Sequence, residues 1–93
     1  MTRDGHRQRR ALTAAEQALE ALEKGDRDAA RRAAAEAASL DQVGAFAHLI
    51  GAVELAAADL AATGRVGDSA VSALLEAVGP GPLAAWAARL GNG

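Results

Sequence analysis

His48 and Glu54 place an imidazole and a carboxylate inside an apolar run, residues 43–62, and that pairing is the raw material of general base catalysis. Six residues apart on a helix, the two diverge by about 240°, so they cannot share a site within that helix. Glu54 lies among Val43, Ala47, Ile50, Ala58 and Ala61. A lone carboxylate buried in such company is costly, so if that side is covered Glu54 is expected to be protonated or paired with a guanidinium, from Arg31 or Arg32 or else Arg65, and otherwise to sit in an ion pair at the rim. Arg31, Arg32 and Glu54 are thus the candidate buried ionic group.

The remaining reactive side chains do not assemble. The chain contains no cysteine, which removes thiol nucleophiles, disulfides and thiolate metal sites. Thr13, Ser39, Thr63, Ser69 and Ser72 have no histidine near them in sequence. Glu16, Glu20 and Glu23 follow helical spacing along a solvated face and have no imidazole beside them to complete a metal site. These patterns yield no catalytic, cofactor-binding or metal-ligating set. The expectation is a non-enzyme without a cofactor.

Arg3, Arg7, Arg9 and Arg10 give the first ten residues a positive charge of +3 after Asp4 is counted, against −2 for the whole chain. Such an arm could meet phosphates, and counterion release would make that contact steeply salt-dependent. No basic stripe follows it and aromatic residues are nearly absent, so nucleic-acid regulation through the arm is the second reading.

The elements that must carry these residues are helices. Ninety-three residues allow one domain, and 27 alanines and 11 leucines against one Phe and one Trp favour helix throughout. Residues 1–10 lack periodicity and are expected to be a disordered basic arm, leaving 11–93 as one helical domain. Thr13 and Glu16 form a capping box that would start the first helix, which ends at Lys24 before Gly25. Asp26 caps a second helix of about 27–39 with Ala30, Ala33, Ala34 and Ala37 on one side.

Asp41 is expected to cap a third helix of about 42–63, with Phe46, Leu49, Val53, Ala57 and Leu60 on a bulky face and Gly44, Ala47, Gly51, Ala58 and Ala62 on a smooth one. Apolar on two sides, it reads as the central helix with neighbours on both flanks. Its length could span a bilayer, but Glu54 and Asp59 would each cost about 2.5–3.5 kcal/mol at the centre, so no membrane span is expected. Gly64–Gly67 breaks the pattern and Asp68 caps a fourth helix of 69–78. After Gly79-Pro80-Gly81, Pro82 opens a fifth, ended by Gly91, with Leu83, Trp86, Ala87 and Leu90 inward. The predicted fold class is all-α, a small bundle of four to five helices beginning with a helix-turn-helix.

Residues 11–41, with the turn pair Gly25-Asp26, the small residues Ala18, Ala30 and Ala37, and the closing Leu40-Asp41, resemble one tetratricopeptide repeat. Ala14, Ala21 and Ala34 stand where that family carries larger side chains, and Gln42 where it carries proline. The resemblance implies a hairpin of nestled helices and a role in contact between proteins. It assigns no binding residue.

Buried alanine contributes far less than the ~1.5–3 kcal/mol of a buried Leu or Phe, so this chain is expected to gain stability by association. The predicted function is a small protein-protein interaction or accessory module whose partner is another protein chain, most simply a second copy. The anchors are expected to be Phe46, Leu49, Ile50, Val53, Leu55, Leu75 and Trp86. A small ligand-binding protein or enzyme with Glu54 in a pocket is the third reading. The arginines lack an apolar segment behind them, so a secretory signal is not expected and the cytoplasm is the expected compartment. Nine arginines to one lysine, with the alanine excess, suggest a GC-rich bacterial genome.

Overall fold

The computed structural model describes residues 3–41, 44, 46–79 and 81–92, and these form five α-helices: α1 Arg3–Lys24, α2 Arg27–Leu40, α3 Leu49–Thr63, α4 Asp68–Val78 and α5 Pro82–Asn92. Each helix packs on the next in sequence, and α5 returns to α1, which also touches α3. The chain measures 44 × 24 × 18 Å, so the bundle is about two helices deep and every helix keeps a face in solvent. The all-α expectation is met.

The first turn is built by local hydrogen bonds. Gly25 adopts φ +79°, its amide donates to Leu22 O at 3.1 Å, and the Asp26 amide donates to Ala21 O at 2.8 Å. These two bonds are a Schellman motif, which satisfies carbonyls the end of α1 would leave open. Asp26 then caps α2, its Oδ1 accepting the Ala29 amide at 3.1 Å. The other end of the hairpin is also tied: Arg7 Nη2 donates to Ser39 O at 3.2 Å, and Gln8 Nε2 donates to Asp41 Oδ1 at 3.1 Å.

Two expected boundaries are corrected here. The basic arm is helical from Arg3, and Thr13 sits mid-helix with its hydroxyl donating to Arg9 O at 3.2 Å rather than capping. Arg7 and Gln8 give the early turns a partner in the end of α2, which periodicity within 1–10 does not reveal. The third helix starts at Leu49, and Gln42, Val43 and Ala45 lie outside the described residues. Gly44 takes φ +76°, and Asp41 Oδ2 accepts the Phe46 amide at 2.6 Å, so the carboxylate supports a turn ahead of α3 instead of the helix itself.

Two further caps shift. Gly67, not Asp68, is the N-cap of α4, and Asp68 is its first helical residue, where a carboxylate complements the helix dipole. Asp59 Oδ2 accepts the Gly67 amide at 2.8 Å, so close that a Cβ at position 67 would collide with it. Gly91 lies inside α5, where its missing side chain lets the helix approach Val71 of α4.

The core is methyl-rich. Ala11, Ala14, Ala15, Ala18, Leu19 and Leu22 of α1 meet Ala30, Ala34 and Ala37 of α2, and Leu49, Val53, Leu74, Leu83 and Ala87 fill the rest. Among the described residues no polar or charged residue is buried. Alanine faces let helix backbones draw together and recover dispersion contacts that longer side chains would otherwise supply. As expected, α3 has α2 on one flank and α4 on the other, but it is covered on its bulky side alone, and α1 likewise touches three helices, α2, α3 and α5.

Candidate protein interface

On α3, residues Leu49, Ala52, Val53, Ala56 and Ala57 point into the bundle, and Ile50, Gly51, Glu54, Leu55, Ala58, Ala61 and Ala62 form the outward arc. The smooth side expected to be covered is open. Ile50 is 44% exposed and Leu55 42%, and the residues between them are small or, in Glu54, charged. The two aliphatic side chains lie on either side of Glu54, with Gly51, Ala58 and Ala61 as the small residues of the same arc. The groove beside it, about 570 Å³ between α3 and α4, is lined by His48, Gly51, Ala52, Ala73 and Glu76.

The anchors proposed from sequence separate into three groups. Phe46, Leu49 and Val53 are buried core residues, so they are corrected from interface to interior. Leu75 and Trp86 are half-buried against the core. Only Ile50 and Leu55 offer large apolar surface. Leu12, on α1, is also exposed, at 39%, and was not anticipated as a contact residue. Leu12 stands seven residues before Leu19, which is fully buried.

The ionic group forms, at the surface. Arg31 Nε lies 2.6 Å from Glu54 Oε1, with the two side chains 44% and 53% exposed, and Asp28 sits 3.7 Å from the same guanidinium. The pair forms with Arg31 but is not buried, because both side chains lie on half-exposed faces of their helices, which leaves Glu54 on the rim. Arg32 does not join it. That side chain lines a shallow groove on the hairpin with Gln17, Glu20, Lys24, Asp26 and Glu36. Glu54 faces solvent rather than a polar-lined chamber.

The arginines of the first ten residues do different jobs. Arg3 opens α1, Arg7 is engaged by the Ser39 carbonyl, and Arg9 and Arg10 are exposed. At the far end Arg89 of α5 bonds Glu23 of α1 at 2.9 Å and lies 5.1 Å over the Trp86 ring, a cation–π contact. Sequence spacing could not reveal that strap, since its members are 66 residues apart.

Among the described residues no group of three or more His, Asp or Glu could hold a metal ion, and no helix is long and apolar enough to cross a membrane. No protein-family model matches the chain, and no curated protein or solved structure is significantly similar to it.

Proposed function

We propose that this chain is a small protein-protein interaction module that associates with itself through the outward arc of α3. The observation that carries the reading is the pair of exposed aliphatic side chains, Ile50 and Leu55, on an arc whose one charge, Glu54, is already held by Arg31. Covering that arc removes apolar area from water, and it strands no charge because the guanidinium travels with the carboxylate. The likeness of residues 11–41 to a tetratricopeptide repeat supports contact with protein as the role.

Light scattering during size-exclusion chromatography, over a range of loading concentrations, tests the reading. The wild-type chain is expected to run as a dimer that dissociates on dilution. Leu55→Glu is expected to run as a monomer with unchanged helix content, because Leu55 contributes little to the core. A wild-type chain that stays monomeric at every concentration overturns the proposal.

A further inference from the structure

We infer that the leading turns of α1 dock between the phosphate rims of duplex DNA, an inference that stands apart from the self-association proposed above. The chain carries −2 overall, but Arg3 and Asp4 cancel, and Arg7, Arg9 and Arg10 then place +3 within four residues. All three of those side chains are exposed. Lys24, Arg31 and Arg89 each face a carboxylate, whereas among the described residues the side chains of Arg9 and Arg10 have no hydrogen-bond or ion-pair partner. Arg7 donates to Ser39 O at 3.2 Å, and a neutral carbonyl leaves the charge of the guanidinium in place. Residues 11–93 carry −5, so this end alone approaches a polyanion favourably.

The fold turns this charge into a rigid end of the molecule. Helix α1 begins at Arg3, and the Arg7–Ser39 and Gln8–Asp41 contacts set residues 7 and 8 level with the end of α2, so the first turn of α1 leads that helix. Cβ atoms tilt toward a helix N-terminus, which carries the three guanidiniums toward the tip. Arg7 and Arg10 lie about 60° apart on the wheel, and Arg9 lies about 160° from Arg7, on the opposite flank. The major groove of B-form DNA, about 12 Å wide, admits one helix between two rims of phosphate. Arginines on opposite flanks reach both rims, whereas a flat anionic membrane meets one flank. These turns contain no aromatic side chain to stack on bases, so the contact is to the phosphate backbone and not to a particular sequence.

Fluorescence anisotropy of a labelled mixed-sequence DNA duplex, titrated with the full chain in low and moderate salt, tests the inference. Three phosphate contacts give a log–log salt slope of about −2.7, so affinity should fall about 40-fold between about 50 and 200 mM salt. The double variant Arg9→Gln, Arg10→Gln should reduce that fall to about 3.5-fold. Its thermal melt should match the wild type, because neither side chain has a partner to lose among the described residues. Lysine at both positions should restore the salt dependence. Arg65→Gln removes an equal charge in a cleft shared with Glu23, at the other end of α1, and should bind as the wild type does. Duplex RNA, whose major groove is deep and narrow, should bind more weakly than DNA. Four results overturn the inference: no DNA binding in the lower salt, equal losses from Arg65→Gln and Arg9→Gln, equal affinity for duplex RNA, or a preference for vesicles of equimolar phosphatidylcholine and phosphatidylserine. Each leaves the self-association through α3 standing.

Discussion

Asp41 Oδ2 accepts the backbone amide of Phe46 at 2.6 Å, and this one bond sets where the hairpin ends and the turn before α3 begins. The same carboxylate holds Gln8 of α1 through Oδ1. Asp41→Ala should therefore loosen two connections at once and lower stability by about 1.5–3 kcal/mol, as loss of hydrogen bonds to a charged group does. Asp41→Asn keeps one carbonyl oxygen and should fall between that variant and the wild type. Urea unfolding monitored by circular dichroism gives the comparison, and an unchanged midpoint for Asp41→Ala would refute the assigned role.

Two glycines should respond to alanine in opposite directions. Gly25 takes φ +79°, a left-handed backbone that costs a residue with a Cβ roughly 1–2 kcal/mol, so Gly25→Ala should destabilise. Gly51 is in the interior of α3 with open space around it, so Gly51→Ala should stabilise the protomer by about 0.4–1 kcal/mol. Both substitutions are best measured by thermal melting in the Leu55→Glu background, where pairing does not contribute. The same sign for both would contradict the backbone argument.

Leu74 is fully buried and Leu55 is 42% exposed, so truncating each to alanine separates interior from surface. Leu74→Ala should cost about 2–5 kcal/mol. Leu55→Ala should change protomer stability by no more than about 0.5 kcal/mol, the range for surface positions, yet weaken association. Chemical denaturation paired with light scattering reads both quantities, and a large loss of protomer stability in Leu55→Ala would move that residue into the core.

The Arg31–Glu54 pair should contribute little to folding. Half-exposed ion pairs are screened and give about 0.2–1 kcal/mol, so a double-mutant cycle with Arg31→Ala and Glu54→Gln should return a coupling in that range, shrinking in high salt. A salt-insensitive coupling above about 2 kcal/mol would mean that the pair is far better shielded than its exposure indicates.

Removing residues 1–10 should do more than delete a charged tail. It takes away the Arg7–Ser39 and Gln8–Asp41 contacts at the open end of the hairpin, so the melting temperature should drop. An unaltered melting temperature together with lost binding to a polyanion would favour the nucleic-acid reading of the arginines.

Local signals carried much of the architecture. Gly25-Asp26 announced the first turn because a left-handed residue and a capping carboxylate act within a few positions of each other, and Pro82 marked the start of α5 for the same kind of reason. Signals that depend on distant partners misled. Thr13 with Glu16 is a sound capping box, but the contacts of Arg7 and Gln8 with the end of α2 extend the helix past it. Leu49 and Val53 lie on the covered face of α3 and Phe46 is buried in the turn before it, and the wheel could not tell which of two apolar sides this chain would cover for itself. Arg31 and Arg32 are adjacent, and only the crossing of α2 over α3 decides which one reaches Glu54.

The hairpin of α1 and α2 is fastened at its tips and smooth between them. Alanine rows offer no interlocking shapes and, among the described residues, no interior hydrogen bond to fix their alignment. Sliding one rod along the other by a helical turn would sacrifice little buried surface, so the choice of alignment falls to the motif at Gly25 and the tethers on Ser39 and Asp41. Weakening both ends together should thus produce several interconverting alignments with helicity intact and amide protection lost, a breakdown of uniqueness that precedes unfolding.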